Sequence, residues 1–223
     1  MTDQRQPVSQ PPADEATRRA VLLAAARLLG YPDPALWELL PEIAAYLREA
    51  PASDAGAILL AATQRLRETG LAALEARYVA TFDFSEPTSL YLTAHELGDS
   101  RRRGQAMVEL RRLLRAGGFE QATGDLPDYV PLLLEFAAHA PAGAPVVELE
   151  RRLAAVCERI RSHLDAENQY HGIFVALRET LPAPEEPEKP EEPEEPERPE
   201  PERRFPLREQ ADTGEMPYPL RYE

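Results

Sequence analysis

Four histidines (His95, His139, His163, His171) and one cysteine, Cys157, are the residues in this chain best suited to metal ligation or proton transfer. Their spacing favours neither. No two histidines stand four apart on one helix face, and Cys157 and His163, six apart, do not form a helical ligand pair. A lone cysteine excludes an intrachain disulfide, Cys-x-x-Cys redox chemistry and a cysteine-ligated iron–sulfur cluster. The glycines are scattered rather than gathered into a phosphate-cradling loop, and no Gly-x-Ser-x-Gly elbow is present. The expectation is a protein that is not an enzyme and holds no metal or resident cofactor.

Ionic and aromatic residues between Tyr78 and Phe136 carry more information. At 100° per residue, Arg103 lines up with Met107, Leu110 and Leu114, whereas Arg101, Gln105, Glu109 and Arg112 face away. A guanidinium on a core-facing stripe needs a partner, and Asp83, Glu86, Asp125 and Asp128 are the candidate acceptors. The pairing reads either as a clamp between helix and loop or as a grip on a ligand. Asp99, after Gly98, reads as an N-cap, a job Ser100 could share. Arg101 and Arg102 then lie in the first turn, against the helix dipole, and call for an anionic neighbour or partner. Tyr91 and His95, at i and i+4, are expected on one helix face, beside a stripe of Leu90, Ala94 and Leu97. Asp125-Leu-Pro-Asp128 reads as a turn that delivers Leu132, Leu133 and Phe136 to the core.

Helices must position these groups, because apolar residues recur at helical spacing and no segment alternates like a strand. The expected helices are Ala16–Leu29, Asp33–Leu40, Pro41–Glu49, Asp54–Gly70, Leu71–Phe82, Ser89–Leu97, Asp99–Gly117, Asp128–His139, Val146–Glu167 and Gln169–Thr180. The fold class is therefore all-α: a single-domain helical bundle over residues 14–181, long enough to bury a core. Residues 1–13 are polar, without the apolar stretch of a secretory signal, and are expected to be disordered. Residues 182–223 hold 11 of the 23 prolines and 14 of the 39 acids, with a Pro-Glu-Glu repeat from Pro184. That composition predicts an extended, solvated tail, or a docking segment on a stiff leash, since Phe205, Leu207, Met216 and Tyr218 follow it. The net charge of −14 argues against nucleic acid as a partner. The longest apolar run, Ala20–Ala26, falls far short of the roughly 20 residues a membrane span requires. A soluble, cytoplasmic protein is expected.

Two stretches, FDFSEPTSLYLTAHELGDSRRRGQAM and LPDYVPLLLEFAA, closely resemble the respiratory nitrate reductase assembly chaperones, the NarJ or delta-subunit family of the TorD-like group. LLGYPDPALWELLPEI fits the opening of that family, and the resemblance runs from about Ala16 to Leu181. The motif positions are Phe82, Asp83, Leu90, Tyr91, Leu92, His95, Gly98, Asp99, Arg101, Arg103 and Gly104, then Leu126, Pro127, Asp128, Pro131, Glu135 and Phe136. Tyr129 stands where histidine is expected, and the Pro/Glu tail lies outside the resemblance.

The resemblance implies a TorD-like helical chaperone that is not itself catalytic. Its client would be the apo catalytic (alpha) subunit of nitrate reductase, gripped by its N-terminal segment before membrane anchoring and held open for molybdenum cofactor insertion. It would not be a subunit of the mature enzyme. Phe82, Asp83, Tyr91, Leu92, His95, Asp99, Arg101, Arg103 and Asp128 are the expected client-binding residues. The expected mechanism is capture of an amphipathic client segment in an apolar groove between helices with a charged rim. The alternatives are a chaperone for another complex molybdenum enzyme, or a helical adaptor working through its tail.

Overall fold

Seven consecutive apolar residues cannot form a one-sided stripe, so the helix that holds them must be enclosed. In the computed structural model this is α1 (Ala13–Leu28), where Ala20, Val21, Leu22, Ala24, Ala25 and Ala26 are buried. The structure describes residues 13–119, 124–141 and 143–183; the expectations for residues 1–12 and for 184 onward lie outside them. Around α1 pack α2 (Pro34–Glu49), α3 (Asp54–Thr69), α7 (Val130–His139) and α9 (His171–Thr180). α8 (Ala144–Ser162) lies against α7 and α9, and also against α5 (Leu92–Leu97). α4 (Leu71–Tyr78) follows α3 across Gly70, whose φ of 82° suits glycine. α6 (Arg102–Ala116) packs on α5. The described residues contain no strand, and the fold is all-α.

Side-chain caps account for the starts of α2 and α3. The Asp33 carboxylate accepts from the Leu36 amide at 2.8 Å, with Pro34 in the first turn. Ser53 caps α3 by accepting from Gly56 at 3.0 Å. Pro41, expected to break the chain into two helices, instead sits inside a continuous α2. It is exposed, so solvent can serve the carbonyl that its missing N–H leaves without a helical donor.

Two expectations near the motifs are corrected. The helix expected over Ser89–Leu97 begins only at Leu92. A 3-10 turn spans Glu86–Thr88, and Tyr91 forms an isolated antiparallel bridge with Tyr129. The Leu92 amide donates to the Asp128 carbonyl at 2.8 Å and the Val130 amide to the Leu90 carbonyl at 2.9 Å. That pairing takes the backbone of Leu90 and Tyr91 out of the helix, so Tyr91 and His95 do not share a helix face. Leu92 and Thr93, not Ala94 and Leu97, are the buried residues of α5. Nor does Asp99 cap α6. Arg101 occupies the cap position, and the Ser100 hydroxyl accepts from the Arg102 amide at 3.3 Å.

α4 continues into a π-helical turn, Val79–Asp83. The widened turn faces Phe82 inward, where its ring meets Tyr78 at 5.0 Å and Tyr170 at 4.9 Å, both edge-on. Cys157 is fully enclosed in α8.

Candidate functional site

The two motifs meet at one corner of the bundle. Asp128, wholly buried at the end of the Leu126-Pro-Asp turn, is reached from two sides. The Thr93 hydroxyl on α5 donates to its Oδ2, and Arg103 Nη2 on α6 lies 3.5 Å from the same atom. Arg103 Nε donates in turn to Thr93 Oγ1 at 3.0 Å, closing a three-membered network. Of the four acids that could have answered Arg103, Asp128 is the one that pairs with it. A buried carboxylate is tolerable only when it is compensated this way. Its Oδ1 finds no hydrogen-bond partner among the described residues.

Above this network is a cavity of about 500 Å³ between the π turn, the 3-10 turn and the α5–α6 junction. Phe82, Asp83, Phe84, Glu86, Asp99 and Arg103 are among its lining residues. Phe84 is 85% exposed, a large apolar side chain left in water at the cavity edge.

The expected site residues thus separate into two groups. Asp83, Asp99 and Arg101 are exposed, Tyr91 is at the surface, and Arg103 lines the cavity from a partly covered position. Phe82, Leu92 and Asp128 are buried, Phe82 at the wall of the cavity. His95 is intermediate: Nε2 lies 2.7 Å from the Ser89 carbonyl and donates to it. Burial lowers the His95 pKa below its ordinary value, although that carbonyl pulls it partly back.

None of the expected client-binding residues lines a second cavity, about 530 Å³, between the end of α1, the start of α2 and α7, although the motif positions Pro131 and Glu135 do. Ala26, Tyr31, Leu36, Leu39, Pro131 and Leu132 give it an apolar floor, and Arg27, Asp33, Asp125 and Glu135 supply charge. The available signal was on α2, where Leu36 and Leu39 extend the apolar stripe beyond the buried Leu40, Ile43 and Leu47. Tyr129 lines this groove too. Its hydroxyl lies 3.1 Å from that of Tyr78, and both reach the Leu29 carbonyl past the end of α1, at 3.4 and 3.3 Å. Burial, chiefly, raises the pKa of both phenols. A single turn, Asp125 to Tyr129, therefore links the groove to the motif corner. No group of three or more His, Cys, Asp or Glu side chains that could hold a metal ion occurs among the described residues.

This arrangement of helices is shared with a putative redox enzyme maturation protein from Archaeoglobus fulgidus. The superposition covers 79% of this chain and 98% of that one, with a TM-score of 0.54 at 18% identity, a likeness of fold. The nitrate reductase delta subunit model matches residues 31–166, and the chain belongs to that family. A probable nitrate reductase molybdenum cofactor assembly chaperone NarJ of Bacillus subtilis (strain 168) is 34% identical over 63% of this chain and 77% of its own. The nitrate reductase molybdenum cofactor assembly chaperone NarJ of Escherichia coli (strain K12) is 38% identical over 58% of this chain and 56% of its own. These relatives are named as assembly chaperones.

Proposed function

We propose that this protein is an assembly chaperone for a nitrate reductase, binding the apo catalytic subunit by its N-terminal segment while the molybdenum cofactor is inserted. Binding precedes membrane anchoring and takes place in the cytoplasm. Membership of the delta-subunit family supports the client class. In keeping with a soluble partner, no helix among the described residues is long and apolar enough to cross a membrane.

The observation that carries the reading is the groove between α1, α2 and α7: an apolar floor with charges of both signs at its edge. An amphipathic helix laid there would bury its apolar face on Leu36, Leu39 and Leu132 and keep its polar face in water. The motif corner fixes the turn that forms one wall of that groove, and Asp83, Tyr91, Asp99 and Arg103 offer contacts to the rest of the segment. No nucleotide chemistry is required, because release follows once the mature enzyme no longer presents the segment.

Titration calorimetry of the full chain with a peptide of the catalytic subunit's N-terminal segment tests this. The expected result is saturable binding with a negative heat-capacity change from apolar burial. Folded protein that shows no heat of binding between pH 6 and 8 would remove the chaperone reading.

A further inference from the structure

We infer that the outer face of α6 is a second docking surface, separate from the groove, which takes an acidic segment of the client. Arg101, Gln105, Val108, Arg112 and Arg115 fall within about 80° of one another around the helix, opposite the buried Leu110 and Leu114. All five are exposed, and Arg111 flanks them. The row is about 21 Å long at 1.5 Å per residue, enough for six or so residues of extended chain.

No acid among the described residues answers the charges of this row. Arg18, Arg27, Arg103, Arg152 and Arg161 each pair with a carboxylate. None of Arg101, Arg102, Arg111, Arg112 or Arg115 forms an ion pair with an acid among the described residues. The single acid of α6, Glu109, accepts from Gln105 at 3.1 Å. Arg101 and Arg102 also lie at the end of the helix where the dipole disfavours cations. Val108, 45% exposed in the middle of the row, adds an apolar contact between guanidinium groups. Arginine is among the residues enriched at protein-binding surfaces.

Charge selects the occupant. The whole chain carries −14, which repels a polyphosphate or an anionic membrane at long range. A patch one helix wide meets a short peptide segment without bringing the rest of the surface close. An acidic peptide segment is therefore favoured over a nucleic acid or a lipid surface. The inference rests on the chaperone reading for the identity of the partner, and the arms of the test separate the two.

The test compares the wild-type full chain with the double variants Arg112→Glu/Arg115→Glu and Arg112→Lys/Arg115→Lys. Each is titrated with the apo catalytic subunit, with the N-terminal peptide alone and with a decaglutamate peptide. The glutamate variant should bind the apo subunit at least about tenfold more weakly, with a reduced salt dependence, and should bind the N-terminal peptide unchanged. The lysine variant should keep most of the affinity. Decaglutamate should bind the wild type and not the glutamate variant, a result that stands even if the N-terminal peptide fails to bind. Unchanged affinity of the glutamate variant for the apo subunit would overturn the inference. So would an equal loss for subunit and peptide, which would merge the two surfaces. Tighter binding of a 20-nucleotide RNA or of phosphatidylserine vesicles than of decaglutamate would also overturn it. Both positions are exposed, and an unaltered circular dichroism spectrum confirms that each variant folds.

Discussion

The centre of the bundle and the corner where the two motifs meet are both buried, yet they are held together differently. Around α1, Val21, Leu22, Leu133 and Phe174 are enclosed by other apolar side chains, and shape alone decides what fits. At the corner, Asp128, Thr93 and Arg103 form a polar knot between a turn and two helices. Apolar packing is tolerant of chemistry that preserves volume. A polar knot is tolerant of neither lost charge nor misplaced donors, and in return it fixes one arrangement. The corner positions surfaces, whereas the centre supplies the bulk of the stability.

Substitutions that preserve size separate the two. Asp128→Asn should cost about 2–4 kcal/mol by urea denaturation, because Arg103 loses its counter-charge and the new amide N–H gains no acceptor. Leu133→Met, equally buried and equally conservative in volume, should cost less than about 1.5 kcal/mol. If the order is reversed, the corner is ordinary core and its polar groups are incidental.

Acidification probes the corner from another side. Burial lowers the pKa of both His95 and His171, so the unfolded chain takes up protons first as pH falls through about 6.5. Stability should be fully present above that pH and decline below it, toward the folded-state values. Urea midpoints at pH 7.5 and 6 should therefore fall, and His95→Gln should flatten part of the slope. A midpoint that rises on acidification would mean that His95 is better solvated than its place suggests.

The smallest effect is expected two residues from Arg103. Arg101→Ala should change stability by less than about 0.5 kcal/mol, since the side chain is exposed and pairs with no acid among the described residues. A loss there comparable to that of Arg103→Ala would show that the phase assigned to α6 is wrong.

That phase was legible in the sequence, because helical geometry ties Arg103 to Leu110 and Leu114 by local spacing alone. Its partner was not. Four acids were eligible, and the choice depends on a turn 25 residues away and on a threonine with no outward mark of importance. The same limit explains the shortened α5. The bridge between Tyr91 and Tyr129 competes with the helix, and a pairing so distant in sequence leaves no periodic trace. Pro41 was misread for the opposite reason: proline is a strong local signal, but its cost depends on whether the carbonyl it orphans meets water. A groove with a charged rim is expected from the sequence, but its place is not, because its walls come from three helices, none unusual by itself.

Burial of Cys157 has a practical consequence. Its thiol is pushed up to about 12 by desolvation, so at neutral pH almost none of it is thiolate, and no reagent can approach it in the folded state. Alkylation must wait for α8 to open, and its rate becomes a clock for that opening. The chain has no other cysteine. A probe attached through a cysteine introduced on α6 or at the groove would then report from one known place, with the native thiol silent until the bundle comes apart.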